Sequence, residues 1–233
     1  MWKLNAQPEN RTMAKHDKTD MKEGITEQIP DVFIEGNIGA GKSTLLRTLQ
    51  DHGVKTVQEP VEQWQDQQGY NFLQLLSDDG QKWAFPFQVL ALTTVWKNYT
   101  NHAATPGVYE RSVLSTVETF SKIHLQLGNL QQEHFAVLEC LLGTLAQQQN
   151  RPHQYVYLRT QPEVAFQRVG TRGREEEKKI PLEYLQLLHQ ELDRWLLPST
   201  NTNVTVIDGN GTSDNTSAQV LRTLRCLGYD INQ

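Results

Sequence analysis

The segment Gly36-Asn37-Ile38-Gly39-Ala40-Gly41-Lys42-Ser43-Thr44 spaces its glycines, lysine and hydroxyls as G-x-x-x-x-G-K-[ST]. A triphosphate is densely anionic, and a tight glycine turn lets backbone N–H groups converge on it. Lys42 would reach the β- and γ-phosphates, and the Ser43 hydroxyl would bind Mg²⁺. The segment follows the apolar run Val32-Phe33-Ile34 and precedes Leu45, Leu46 and Leu49. That is the strand–turn–helix context such a cradle requires. ATP is therefore the expected phosphoryl donor.

Two further groups sit where chemistry is expected. Glu59 follows the second apolar run, Val54 to Val57, and so stands at the carboxyl end of a strand, the edge where ligands bind in parallel sheets. A sugar hydroxyl is a poor nucleophile until its proton is accepted, and a carboxylate serves as that base. Taken alone, Glu59 reads more readily as a solvated loop acid. The next strand, 107–110, ends in Glu110-Arg111-Ser112, and a second acid–base pair at the same edge favours the catalytic reading. Glu110 is placed to hold Mg²⁺ through water, and Arg111 to steady Glu59 and the transferred group. Arg168, Arg172 and Arg174 cluster before Glu175-Glu176-Glu177. Guanidinium groups clamp charge spread over phosphate oxygens, so 171–179 reads as a mobile arginine lid. Asp208-Gly-Asn-Gly211 matches D-x-x-G but lies too far along the chain to form a γ-phosphate switch. Asp208 stays only among the candidate nucleotide-binding residues. No guanine-reading Asn-Lys-x-Asp occurs.

The elements that must hold these groups alternate. Strands are expected near 32–34, 54–57, 107–110, 154–159 and 204–208. Helices are expected at 43–50, 70–103 (interrupted at 78–80 and bent near Pro86), 112–127, 131–149, from Pro162, 181–197 and 214–227. A loop is expected to carry Glu59, Pro60 and Trp64. Alternation of this kind predicts a three-layer α/β/α fold with a five-stranded parallel sheet, in one domain over 31–233. Residues 1–30 are polar, with acids and bases mixed, and read as a disordered tail. They hold neither a secretory h-region nor an acid-poor transit pattern. The expected location is cytoplasmic, with the mitochondrial matrix left open.

The chain has 233 residues, 37% hydrophobic and 21% charged, with a net charge of −5. It holds no strongly basic tract and no long apolar run, so neither nucleic acid nor a membrane is the expected partner. Cys140 and Cys226 fall in apolar helical stretches without metal spacing and read as reduced core residues.

Taken in order, several pieces resemble the deoxyribonucleoside kinases. They are Ile34 to Thr44, Glu59-Pro-Val-Glu-Gln-Trp64, Lys82-Trp-Ala-Phe-Pro-Phe-Gln88, Glu110-Arg-Ser112, Arg172-Gly-Arg-Glu-Glu-Glu177 and Ile180 to His189. The resemblance spans about residues 31–210 and implies roles. Glu59 looks like the base for a nucleoside 5′-hydroxyl, Arg111 its partner, and Ser43 with Glu110 the Mg²⁺ site. Gln88 looks like the amide that pairs with the base edge. Trp64, Phe87 and Phe120 look like aromatic walls, and Glu177 like the acceptor for the sugar 3′-hydroxyl. Arg172 and Arg174 look like the lid clamp. Leu76, Ala91, Val95 and Thr116 complete the candidate nucleoside-contacting set. The family pairs through helices, so a homodimer is expected.

Departures from the family bear on substrate. Ser77 stands where the family usually has a tyrosine that helps hold the 3′-hydroxyl, and Val117 where it usually has an arginine. Deoxycytidine and deoxyguanosine kinases carry an arginine and an aspartate at the positions matching Val95 and Thr116. The uncharged pair here points to pyrimidines, thymidine first, while the small Ala91 and Val95 leave room for purines. The nearest rival, a thymidylate kinase, places an arginine where this chain has Gln58. A non-catalytic nucleotide switch would not need Glu59, Gln88 and an arginine lid together.

Overall fold

A computed structural model of the chain describes residues 28–149 and 151–232. The expected tail over 1–30 lies outside them except for its last three residues. In chain order the elements are β1 (Asp31–Gly36), α1 (Lys42–Asp51), β2 (Thr56–Val57), α2 (Val61–Gln65), α3 (Phe72–Asp78), α4 (Gly80–His102) and β3 (Val108–Glu110). Then come α5 (Val113–Ser115), a π-helical turn (Thr116–Ser121), α6 (Lys122–Gln126), α7 (Gln132–Ala146) and β4 (His153–Arg159). The chain continues with α8 (Pro162–Arg172), a 3₁₀ turn (Glu175–Glu177), α9 (Leu182–Leu196), β5 (Val204–Asp208) and α10 (Ser213–Cys226).

The strands form one five-stranded sheet in the order β2-β3-β1-β4-β5, every pair parallel. Alternation along the strands sorts side chains onto two faces. Val32 and Ile34 of β1 pack with Val108, Val156 and Ile207 against Leu46 and Leu49 of α1 and Val220 and Leu224 of α10. Phe33, Val57, Tyr109 and Tyr157 take the opposite face, under Leu188, Leu192 and Leu196 of α9. Coverage on both faces explains why all of β1, including Asp31 and Glu35, is buried. A third apolar cluster stands clear of the sheet and joins α4, α5 and α7 through Phe87, Leu92, Val95, Val113, Leu138 and Leu142.

Local punctuation sets the helix starts. The Asn71 carboxamide caps α3 by accepting from Gln74 N, and the Asp79 carboxylate caps α4 by accepting from Lys82 N. α4 continues through Pro86, which lies near its start.

The structure corrects three expectations. The loop foreseen after β2 folds into α2, because Trp64 turns inward onto Phe87 at 5.5 Å between ring centroids. The helix foreseen over 112–127 widens at Thr116–Ser121, where Ser121 Oγ donates to Thr116 O at 2.7 Å. Cys140 and Cys226 are free but exposed, not core residues. Each lies two positions from a buried leucine, Leu138 or Leu224, which puts it on the far side of an amphipathic helix.

Candidate active site

Strand order gathers the site. β1, β2 and β3 are neighbours, so their carboxyl ends deliver the glycine turn, Glu59 and Glu110-Arg111 to one edge. The turn demands glycine at two close approaches. A Cβ on Gly39, whose φ is +79°, would stand 2.4 Å from the carbonyl of Ala165. One on Gly36 would stand 2.8 Å from that of Leu158. Asn37 fixes the turn to α9 by donating to Leu185 O at 2.8 Å, and Ala40 is buried in the core beneath it. Lys42 Nζ is held over the turn by the carbonyls of Asn37 and Gly36, at 2.9 and 3.2 Å. Burial pushes its ammonium down to about 8, with the Arg111 charge adding to the effect.

The acidic edge is a linked set of charges. Arg111 Nε lies 3.1 Å from Glu59 Oε1, yet its N–H is not aimed along that line, so the contact is an ion pair and not a hydrogen bond. Arg111 Nη1 donates to Gly36 O at 2.9 Å, and the guanidinium sits 4.8 Å from the centre of the Phe120 ring. The backbone of Arg111 takes a φ of +64°, rare and strained for a side chain of this size. Its neighbours pin it there. Arg111 N donates to Ile34 O at 3.1 Å. The fully buried Glu35 carboxylate accepts from Ser112 N and Ser112 Oγ, both at 2.8 Å, and from Ser115 Oγ. Burial raises the pKa of Glu35 and that of Glu59, Arg111 opposing the rise in both. A raised carboxylate is a stronger base.

Ser43 Oγ donates to Glu110 Oε1 at 2.9 Å beside the start of α1. These hard oxygens suit Mg²⁺. No cluster of three or more His, Cys, Asp or Glu able to hold a metal occurs among the described residues. A sparse protein set of this kind matches an ion that arrives with phosphates.

A cavity of about 580 Å³ runs from the glycine turn into the helical half. Ile38, Gly39, Gly41, Lys42, Ser43 and Thr44 line its phosphate end. Trp64, Leu76, Phe87, Gln88, Ala91, Val95, Thr116 and Phe120 line its deep end, with Glu59, Glu110 and Arg111 between. Gln88 is 1% exposed, and its Nε2 has no partner among the described residues. Its Oε1 lies 3.5 Å from Ser121 Oγ. An amide buried in this way invites a ligand with a donor and an acceptor side by side.

The lid segment closes one side. Arg172 donates to both oxygens of Glu177, at 2.6 Å from Nη2, and Arg174 Nη1 reaches Glu177 Oε1 at 3.3 Å. Glu176 accepts from Gln65 Nε2 at 3.0 Å and Asn71 Nδ2 at 3.1 Å, which fastens the turn to α2 and α3. A hydrogen bond from its own backbone, with those from Asn71 and Gln65, lowers the pKa of Glu176.

Not every expected residue faces the cavity. Arg168 is not a lid residue: its guanidinium donates to the carbonyls of Gly209 at 2.8 Å and Gly211 at 3.1 Å, which leaves no fork for phosphate. Asp208 folds back to accept from Asn210 N and Nδ2, at 2.9 and 2.7 Å, away from the cavity lining. Gly36, Asn37 and Ala40 shape the turn from behind. Val117 packs in the helical core. Ser77 does line the cavity.

Sequence reading missed His124 and Tyr184, both of which line the cavity. The spacing Thr116, Phe120, His124 along one helix face was the available signal for the first.

Known proteins resemble this chain over most of its length. The sequence model described as "Deoxynucleoside kinase" matches residues 32–225. A probable deoxycytidine kinase of Fowlpox virus is 33% identical over 196 residues, covering 82% of each chain. Mitochondrial thymidine kinase 2 of Homo sapiens is 33% identical over 179 residues, covering 76% of this chain and 68% of its own. Deoxycytidine kinase 2 of Gallus gallus is 31% identical over 209 residues, covering 78% and 79%. The chain belongs to the deoxynucleoside kinase family.

Proposed function

We propose that this chain moves the γ-phosphoryl group of ATP onto the 5′-hydroxyl of a deoxyribonucleoside, a pyrimidine and thymidine first, giving the 5′-monophosphate. The observation that carries the reading is the buried Glu59–Arg111 pair, set in one cavity between Lys42 at the phosphate turn and Gln88 in the deep end. Glu59 takes the proton of the hydroxyl as the oxygen attacks the γ-phosphorus. Arg111 holds Glu59 ionised and in place. Lys42 exchanges its two carbonyl partners for phosphate oxygens.

Mg²⁺ bound with ATP would be held by Ser43 Oγ and the Glu110 carboxylate, and it would offset charge on the transferring group. On closure Arg172 and Arg174 leave Glu177 for that group, and Glu177 accepts the 3′-hydroxyl. Gln88 pairs with the base edge between Trp64, Phe87 and Phe120. The pyrimidine preference rests on uncharged Val95 and Thr116 lining the cavity. A further proposal comes with the family resemblance, that two copies of the chain pair through helices; a single kinase domain over 31–233 and work in the cytoplasm are proposed from the sequence pattern.

The test is turnover of the four deoxynucleosides, and of thymidine monophosphate, with ATP and Mg²⁺. Thymidine is expected to lead. Faster turnover of the monophosphate would transfer the assignment to a thymidylate kinase.

A further inference from the structure

His124 lies on α6, is 5% exposed and lines the same cavity. Its place is fixed from both sides. Its carbonyl accepts from Asn129 N at 2.8 Å and Leu130 N at 3.0 Å. Its Nδ1 lies 3.2 Å from Asn129 Nδ2, an amide seated against Gly80, where a Cβ would stand 2.7 Å from that nitrogen. The Asn129 amide donates to Nδ1, so the imidazole proton resides on Nε2. Nε2 has no partner among the described residues. A buried N–H without an acceptor is costly to the folded chain, and the residue that carries it lines a cavity large enough for a nucleoside.

We infer that His124 is a recognition residue for the acceptor nucleoside, its Nε2–H donating to an uncharged sugar or base oxygen. The inference rests on the nucleoside-kinase reading above. Burial pushes the imidazole down to about 4, so it stays neutral near pH 7. A neutral donor serves a hydroxyl or carbonyl oxygen, whereas an anionic phosphate would call for a cation. Ser77, too short to span the cavity, leaves sugar recognition to other residues, and Glu177 is shared with two lid arginines.

The test compares wild type, His124→Leu and His124→Gln with the deoxynucleoside that wild type uses best. The panel adds its 3′-deoxy form and its thiocarbonyl forms, in which the sugar or a base acceptor is removed or weakened. His124→Leu is expected to raise the nucleoside KM about tenfold, the scale of one neutral hydrogen bond. The kcat and the KM for ATP should stay within about twofold, and the Tm of the ligand-free protein should not fall. His124→Gln, with an amide N–H near the position of Nε2, should recover most of the loss. One analogue should cost wild type as much as the Leu variant loses, and the variant should be indifferent to it, which names the oxygen. An unchanged KM in His124→Leu overturns the inference. So does an equal loss for every analogue accompanied by a lower Tm, the mark of a structural role. If wild type turns over no deoxynucleoside, the function reading itself fails, and this inference with it.

Discussion

The site holds two sets of arginine–carboxylate pairs, and they are built differently. At the sheet edge Arg111 is 5% exposed and its partner Glu59 15%. The guanidinium is also anchored to Gly36 O and faces Phe120, on backbone held at a strained φ. In the lid Arg172 and Arg174 are 33% and 39% exposed, and both pair with Glu177, itself 14% exposed, inside one short segment, so the contrast lies in the cations. A buried pair acts at low dielectric and keeps its geometry before substrate arrives. A pair whose cation is open to solvent contributes little to stability and is readily exchanged for other partners. The edge therefore suits a base that must be aimed in advance, and the lid suits cations that must be released to a ligand.

The largest effect should come from cutting the edge pair. Arg111→Ala leaves Glu59 buried without its counter-charge, which should lower stability by about 3 kcal/mol. Turnover should fall at least ~10³-fold, since aim and charge support go together. Glu59→Ala should cost at least ~100-fold in turnover while ATP binding stays nearly intact, the usual scale for losing a general base. The double variant should be little worse than Arg111→Ala, because two residues acting as a unit are not additive. Full additivity would separate Arg111 from Glu59 in the mechanism.

A smaller effect is expected in the lid. Arg172→Ala and Arg174→Ala should each lower turnover about tenfold, leave Tm unchanged and grow milder as salt screens the wild-type contacts. A loss of stability as large as that of Arg111→Ala would erase the contrast between the two regions.

The smallest effect is in the pH profile. Glu59 must be ionised to accept a proton, and burial raises its pKa. Turnover should therefore fall on the acid side at a higher pH than an ordinary glutamate would give. Lys42 must be protonated to meet phosphate, and in the nucleotide-free protein it titrates at about 8. The kcat/KM for ATP should decline as pH rises past about 8. The kcat should hold further up, because bound phosphate keeps the proton on the amine. An acid limb at the ordinary glutamate value would mean that Glu59 is solvated in the working enzyme.

The legible part of this molecule was what local chemistry decides. The glycine turn, the alternation of apolar runs and the strand-end acids each carry their signal within a few residues, and the sheet and the gathering of Glu59, Glu110 and Arg111 at its edge followed from them. The misreadings concern where a side chain goes once the chain folds, whether to a distant partner, a near one or the solvent. Arg168 stands in sequence among lid arginines, yet carbonyls beyond β5 take its guanidinium. Asp208 sits at a strand end but is captured by Asn210, two residues on. Trp64 stands in a polar stretch, and the helix around it is explained by partners far along the chain, packing on Phe87 and a hydrogen bond to Thr94 Oγ1. Cys140 and Cys226 have apolar neighbours in sequence, but helical rotation turns them outward. His124 carries no motif; its meaning lies in Gly80 and Asn129, which the chain brings to it by folding.

The central position of β1 has a consequence for biogenesis. Its first neighbour, β3, lies well downstream, and the β4 residues on its other side follow roughly 120 positions later, so at ribosomal speeds of about 5–20 residues per second β1 waits roughly ten seconds for its second neighbour. Through that interval the nascent chain carries an open, apolar strand edge, a hazard for aggregation until His153–Arg159 emerges.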